Sequence, residues 1–211
     1  MVEAARAGGA TALEHYRRQG LSVSLKADRS PVTEADRAAE AAILDVLRAR
    51  CPDHGALGEE LGESGPRARR FIVDPIDGTR NFVRRIPIWA VLIGLEEDGQ
   101  VVAGVVYQPV TGTLHTAWRG QGAYRDGARI RVSPIDALER ALVVHSSVNF
   151  LRRSAYWDGF LRLADRTQVH RGFGDFSAYL WVAEGQGEIT LSTTVKAWDV
   201  ALAAMRKEER A

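Results

Sequence analysis

The chain has 211 residues, 45% of them hydrophobic and 26% charged, with a formal net charge of +1. That length supports one sizeable core or two lobes, and the near-neutral balance excludes a global field for nucleic acid or an anionic membrane. Cys51 is the single cysteine, which excludes an intrachain disulfide and argues against a Cys-built zinc site.

In chain order, the Ala-rich stretch 3–19, with Leu13 and Tyr16 on one side, predicts a helix ended by Gly20. Its start carries Glu3 and Arg6 rather than the apolar core of a signal peptide. Ser22 to Leu25 alternates weakly. Ala35, Ala38, Ala39, Ala42, Ile43, Val46 and Leu47 then keep strict helical spacing, so an amphipathic helix is predicted there. Thr33 and Asp36 form its capping box, and Cys51-Pro52 ends it. Gly58-Glu59-Glu60-Leu61 reads as a turn. Phe71 to Val73 reads as a buried strand, and Pro75 and Gly78 behind it read as a forced turn. Trp89 to Leu95 and Val101 to Tyr107 are β runs joined by a hairpin, and Thr113 to Trp118 and Arg129 to Val132 continue the meander. After Ser133-Pro134 strands and helices alternate: strand Ala141–His145, helix Ser154–Arg166, an extended piece Gln168–His170, helix Phe176–Glu184, strand Glu188–Leu191 and a last helix Trp198–Arg210. The longest apolar run, Ile88 to Leu95, is far short of the ~20 residues of a membrane-spanning helix, so the expected compartment is the cytoplasm. The order of elements predicts a layered α+β protein of two lobes, residues 1–133 and 134–211.

The chemistry concentrates in Asp74-Pro-Ile-Asp-Gly-Thr79. At an effective dielectric near 20, two like charges ~4 Å apart repel by ~4 kcal/mol. A divalent cation turns that cost into a gain, and hard oxygen ligands suit Mg²⁺. The pattern therefore predicts a metal site that handles phosphate, with Gly78 and Thr79 placed before a helical turn whose amides face an anion. Taken singly, each residue has a plainer role. Asp36 caps a helix, Glu59 and Glu60 are a solvated pair, Asp74 and Asp77-Gly78 start turns, and Asp199 complements a helix dipole.

The motif Asp74-Pro-Ile-Asp-Gly-Thr79 resembles the signature of the inositol monophosphatase superfamily of metal-dependent, lithium-sensitive phosphatases. Ser30-Pro-Val-Thr-Glu-Ala-Asp36, Gly58-Glu-Glu60 and Trp198-Asp199 follow the same family's order. The resemblance implies a sugar-phosphatase-like layered α/β sandwich with the active site between its lobes. It implies that Glu59, Asp74, Thr79 and the Ile76 carbonyl surround one Mg²⁺ and that Asp74, Asp77 and Asp199 hold a second. Asp36, with Glu59 or Glu60, is expected to support a third. Thr79, hydrogen-bonded to Asp36, is expected to orient a metal-activated water with help from Glu59. Gly78 and Thr79 cradle the phosphate, and Asp77, Asp175 and Asp199 face the substrate.

Gly174-Asp175 with Tyr179 downstream, Lys26-Ala-Asp-Arg-Ser-Pro-Val-Thr33 and Pro52-Asp-His-Gly55 resemble the histidinol-phosphate phosphatase branch, which implies a place in histidine biosynthesis. Inositol-specific relatives carry an acidic residue seven positions before the Trp-Asp aspartate; here Ser192 stands there. Histidinol phosphate is thus the expected substrate and inositol 1-phosphate the alternative, with no nucleic-acid or membrane partner. A homodimer is implied. Family members continue past the Trp-Asp helix, so the second lobe is expected to be shortened, and an inactive relative that binds metal and phosphate ligands is the reading from another class.

Overall fold

The structure, a computed structural model, describes residues 1–18, 23–25, 31–193 and 195–196. They group into two units, Met1–Ala128 and Arg129–Lys196. The last predicted helix, Trp198–Arg210, and the residues Lys26 and Ser30 lie outside the described residues.

In the first unit, α1 (Val2–Arg17) precedes β1 (Val23–Leu25), which pairs antiparallel with β2 (Pro31–Thr33), and α2 (Glu34–Arg50) starts directly from β2. α1 buries a face of small residues, Ala4, Ala5, Gly8, Gly9 and Ala12. The absence of side-chain bulk sets the distance between the layers. A Cβ at Gly8 would lie 2.4 Å from Ile43 Cγ1 of α2.

The sheet follows: β3 (Gly55–Gly58), β4 (Gly62–Ser64), β5 (Arg69–Asp77), then α3 (Thr79–Val83), and β6 (Ala90–Glu97), β7 (Gln100–Gln108), β8 (Thr113–Trp118), β9 (Gly122–Arg125) and β10 (Ala128–Arg129). Their spatial order is β10-β9-β8-β7-β6-β5-β3-β4. Neighbours pair antiparallel from β9 to β5 and between β3 and β4, whereas β3 and β5 run parallel. The β6–β7 turn uses Asp98 and Gly99 at φ 47° and 75°, the left-handed pair that a two-residue hairpin of the favoured twist requires. Phe71, Val73, Ile93, Leu95, Ala103 and Val105 pack with Ala4 and Ala5 of α1 and Ile43, Leu44 and Leu47 of α2 in one buried cluster. Cross-strand partners share a face, so this cluster fixes which face of the sheet the two helices cover. Next to it, Ala12, Ala35, Ala39, Ile76, Phe82 and Trp89 form a second cluster. There the rings of Tyr16, Phe82 and Trp89 meet pairwise with centroids 5.0–5.4 Å apart.

Several predicted features differ. The strand predicted at Arg129–Val132 is limited to β10, Ala128–Arg129. The strand predicted at Phe71–Val73 continues through Pro75 to Asp77, because the pairing with β6 slips between Asp74 and Asp77. A bulge leaves one residue unpaired, and that tolerates a proline without an N–H. In the second unit the predicted helix Ser154–Arg166 is shorter, Trp157–Ala164, and a separate, unpredicted helix at Val148–Arg153 precedes it. That unit holds β11 (Leu142–His145), α4 (Val148–Arg153), α5 (Trp157–Ala164), β12 (Val169–Arg171), α6 (Asp175–Ala183) and β13 (Ile189–Leu191). The Ser154 hydroxyl donates to the Leu151 carbonyl (2.7 Å) and accepts from the Tyr156 amide (3.2 Å). A serine that bonds local backbone in this way competes with helix propagation. β11 lies between β12 and β13 and is parallel to both. Parallel pairing needs crossover connections, which α4 with α5, and then α6, supply. Among the described residues no helix is long and apolar enough to cross a membrane.

The α1–α2 contact gives a direct test. Gly8→Val places atoms where Ile43 packs and is expected to cost about 1–3 kcal/mol by overpacking. Ala10→Val on the exposed side of the same helix is expected to cost only a few tenths of a kcal/mol, set by helix propensity. Urea unfolding of the two variants separates packing from propensity.

Candidate metal centre

The bulge explains the spacing of the two motif aspartates. On β6, Leu92 pairs with Asp74 and Ala90 pairs with Asp77. Ala90 and Leu92 are two apart and share a face. Their partners must share it too, although Asp74 and Asp77 are three apart and would point to opposite faces of a regular strand. The same slip turns Ile76 into the helix-side cluster with Ala35 and Ala39. Val73, Ile93 and Val105 face α1 and α2, so the Asp74–Leu92 row faces the other way. One extra residue at Pro75-Ile76 therefore gathers two carboxylates on one side and an apolar anchor on the other.

Glu59 arrives from the neighbouring strand. β3 runs parallel to β5 with Gly58 opposite Val73, and the Glu59 amide still donates to the Val73 carbonyl (3.2 Å). Strands in register lie about 4.8 Å apart. Glu59 and Asp74, each one residue further along, thus leave the same end of two adjacent parallel strands. Asp74 is buried, with 3% of its surface exposed, and its Oδ1 accepts the Ile76 amide at 3.0 Å. This Asx-type turn holds the carboxylate against its own bulge.

Asp36 enters from α2. Its Oδ2 accepts both the amide (2.8 Å) and the hydroxyl (2.6 Å) of Thr33, and the Thr33 Oγ1 accepts the Ala35 amide at 3.1 Å. The predicted capping box is thus present, and Asp36 is buried within it. Ala35 and Ile76 pack in one cluster, which draws the start of α2 towards the bulge. The expected hydrogen bond from Thr79 to Asp36 is replaced. The Thr79 hydroxyl, with one proton to give, donates to the Ile76 carbonyl at 3.1 Å, while Thr33 supplies a hydroxyl to Asp36. Gly78 precedes α3 in the left-handed conformation (φ 88°), where a Cβ would lie 3.0 Å from the Ile88 carbonyl oxygen. Only glycine turns the chain there without strain.

The first unit therefore holds Asp36, Glu59, Glu60, Asp74, Ile76, Asp77, Gly78 and Thr79. Asp175 lies in the second unit as the first residue of α6, at φ 56°, and Asp199 lies outside the described residues. Among the described residues no group of three or more His, Cys, Asp or Glu side chains is arranged to hold a metal ion. Each of the two main expected sets supplies only two carboxylates within those residues, Glu59 with Asp74 or Asp74 with Asp77, and the rest of the first set is a carbonyl and a hydroxyl. The donors are uniformly hard oxygens, two lone pairs of the Ile76 carbonyl included. That donor chemistry fits Mg²⁺ and not a softer metal.

One buried acid was absent from the sequence reading. Glu40 of α2 is fully buried (0% exposed), and it binds the amides of Glu60 and Leu61 through both carboxylate oxygens. Burial pushes its carboxyl above the usual carboxylate range, the two amide bonds pull it back, and the nearby Glu60 and Glu59 charges push it up further. The signal was in the spacing. Asp36, Glu40, Ile43, Leu44 and Leu47 fall at i, i+4, i+7, i+8 and i+11, so Glu40 is a charge on an apolar stripe.

The chain matches the family described as the inositol monophosphatase family across residues 1–205. It is 42% identical over 187 residues to a histidinol-phosphatase of Mycobacterium tuberculosis, covering 86% of this chain and 72% of that protein. It is 37% identical over 208 residues to an inositol-1-monophosphatase of Mesorhizobium japonicum, covering 95% and 78%. The crystal structure of the extragenic suppressor protein suhB from Bartonella henselae superposes with a TM-score of 0.93 at 36% identity, covering 99% of this chain and 83% of that one.

If the carboxylates gathered by the bulge hold Mg²⁺, the ion stabilises the folded chain by about 2.7 kcal/mol at a hundredfold excess over its dissociation constant. A rise in Tm with MgCl2, abolished in Asp74→Asn, is the expected result of a thermal melt. An undiminished rise in that variant would remove Asp74 from the ligand set.

Proposed function

Because the chain belongs to the inositol monophosphatase family, a family of metal-dependent phosphatases, we propose that it is a Mg²⁺-dependent phosphomonoesterase whose preferred substrate is histidinol phosphate. The observation that carries the catalytic part is the bulge at Pro75-Ile76, which sets Asp74 and Asp77 on one face next to the strand end that delivers Glu59. Support for the substrate comes from the histidinol-phosphatases of Mycobacterium tuberculosis and its like, from Ser192 in place of an acidic residue, and from Asp175 as a partner for the substrate's amine.

Glu59, Asp74, Asp77, Asp199 and the Ile76 carbonyl would hold two Mg²⁺ ions, with Asp36 and Glu60 nearest a third. Bound there, Mg²⁺ supplies positive charge for the phosphoryl oxygens and makes a water easier to deprotonate. The chain's own residues do the rest. Gly78 caps α3 and Thr79 is its first residue; the first amides of a helix have no partner within it, so they donate hydrogen bonds to a phosphate oxygen. The Thr79 hydroxyl donates its hydrogen bond to the Ile76 carbonyl, and its oxygen orients the attacking water by accepting a hydrogen bond. Asp36 and Glu59 take up that water's proton as its oxygen bonds to phosphorus and the ester oxygen departs. Asp77 and Asp199 would hold the ion whose charge neutralises the leaving oxygen, which departs as an alkoxide and takes its proton from water. In this reading the protein is a cytoplasmic homodimer of two-lobed subunits acting on a small phosphorylated metabolite.

Phosphate release from histidinol phosphate and from inositol 1-phosphate, each with Mg²⁺ and with and without Li⁺, tests both levels. Lithium-sensitive turnover with kcat/KM at least about tenfold higher for histidinol phosphate is expected, a preference of about 1.4 kcal/mol. Asp175→Asn is expected to raise the KM for histidinol phosphate and to leave that for inositol 1-phosphate unchanged. A preference for inositol 1-phosphate would favour the other substrate, and a folded protein that turns over neither would favour a metal-binding relative without activity.

A further inference from the structure

Glu40 is a costly residue with an odd set of partners. It lies on α2 one turn beyond Asp36, and no part of it reaches solvent. Its Oε2 accepts the Glu60 amide at 2.8 Å and its Oε1 the Leu61 amide at 2.9 Å. Among the described residues no Lys, Arg or His pairs with it. Burying a carboxylate without a counter-charge costs several kcal/mol after relaxation, and two neutral amide bonds offset only part of that.

What the carboxylate holds is the turn between β3 and β4. That turn has three residues, Glu59, Glu60 and Leu61, and all three amides are accounted for. Glu59 donates to Val73 of β5, while Glu60 and Leu61 donate to Glu40. A buried carboxylate is the one side chain that presents two acceptor oxygens to two consecutive amides. A glutamine offers one acceptor, and its NH2 would oppose the other N–H. The seat is closed from the strand side as well. A Cβ on Gly58 would lie 1.8 Å from Glu40 Oε1, so the absence of a side chain at Gly58 is what admits the carboxylate. The last residue before Glu59 and the two residues after it thus all rest on Glu40.

We propose that Glu40 is a positioning residue of the metal centre, clamping the 59–61 turn so that the Glu59 carboxylate is presented beside Asp74. This rests on the reading of Glu59 as a metal ligand. Glu40 touches neither substrate nor the reacting atoms. It acts through the backbone of the turn, so its loss lowers metal affinity before it lowers turnover.

The test compares Glu40→Gln, Glu59→Gln and the double variant of the full chain. Mg²⁺ alone is titrated by calorimetry, and exchange at the Glu60 and Leu61 amides is followed by NMR without metal. Glu40→Gln is expected to raise the Mg²⁺ dissociation constant about 10- to 100-fold, the range for residues that orient a ligand, and to lose protection at both amides. Activity should recover at high Mg²⁺. Glu59→Gln should weaken Mg²⁺ binding while keeping amide protection. The double variant should bind Mg²⁺ no more weakly than Glu59→Gln, since coupled residues are not additive. Gly58→Ala, which pushes the carboxylate from the other side, should reproduce the Glu40→Gln result, and it stands in if that variant does not fold. Unchanged Mg²⁺ affinity in Glu40→Gln or in Gly58→Ala, or additive losses in the double variant, would overturn the proposal while Glu59→Gln still binds poorly. Unchanged affinity in Glu59→Gln would instead remove the ligand reading on which it rests.

Discussion

The register of three strands governs the candidate centre. Gly58 sits opposite Val73, and Asp74 sits opposite Leu92; the hydrogen bonds that fix these pairs also fix where every acidic side chain leaves the sheet. Shifting a strand by one residue exchanges its faces. A slip of β3 would send Glu59 to the helix side and Gly58 away from Glu40. A regular β5 without its extra residue would separate Asp74 from Asp77. The packing of Phe71, Val73, Ile93 and Val105 on α1 and α2 makes such slips expensive, because each would drag apolar side chains out of the core. The hydrophobic layer thereby specifies the geometry of a polar site it does not touch.

That arrangement concentrates buried acids at the meeting point of β3, β5 and the start of α2. Asp36, Glu40 and Asp74 are each no more than 3% exposed. Acids are almost never fully buried unless paired. Each is held here in part by local backbone donors: the Thr33 amide for Asp36, the Ile76 amide for Asp74, and the Glu60 and Leu61 amides for Glu40. Backbone donors are rigid in a way that lysine or arginine partners are not, and they fix orientation as well as charge. Sites that must present ligands in a set direction require this kind of support.

Much of this was legible in the residues. α2 and its cap followed from apolar spacing and from Thr33 with Asp36, and the β6–β7 hairpin from its Asp-Gly turn. Pro75 misled, since a proline after an apolar run signals a turn, yet here a bulge absorbs it and the strand continues. Ser154 separates a missed helix, α4, from the predicted one, α5, through side-chain bonds that periodicity does not register. The short strands β3 and β4 were missed because Gly55 to Gly58 carries little side-chain pattern, and their pairing is with distant β5. Glu40 was missed, although its place on an apolar stripe was visible. Why the motif aspartates are three apart became clear only from the register, a long-range property that the local residues do not encode.

The ring cluster of Tyr16, Phe82 and Trp89 ties the motif to a distant part of the chain. Arg85 lies over the Tyr16 ring, 5.4 Å from its centroid, and its guanidinium donates to the carbonyls of His15 and Arg18. The His15 carbonyl also accepts the Arg18 amide at 3.1 Å, so the guanidinium supports the capping turn of α1. The last turn of α1 and the five-residue α3 therefore brace each other. A helix as short as α3 has no stability of its own. Fraying at the end of α1 and loosening of the segment after Gly78 should belong to one cooperative opening event, which makes the far end of the first helix a lever on the order of the turn that follows Gly78.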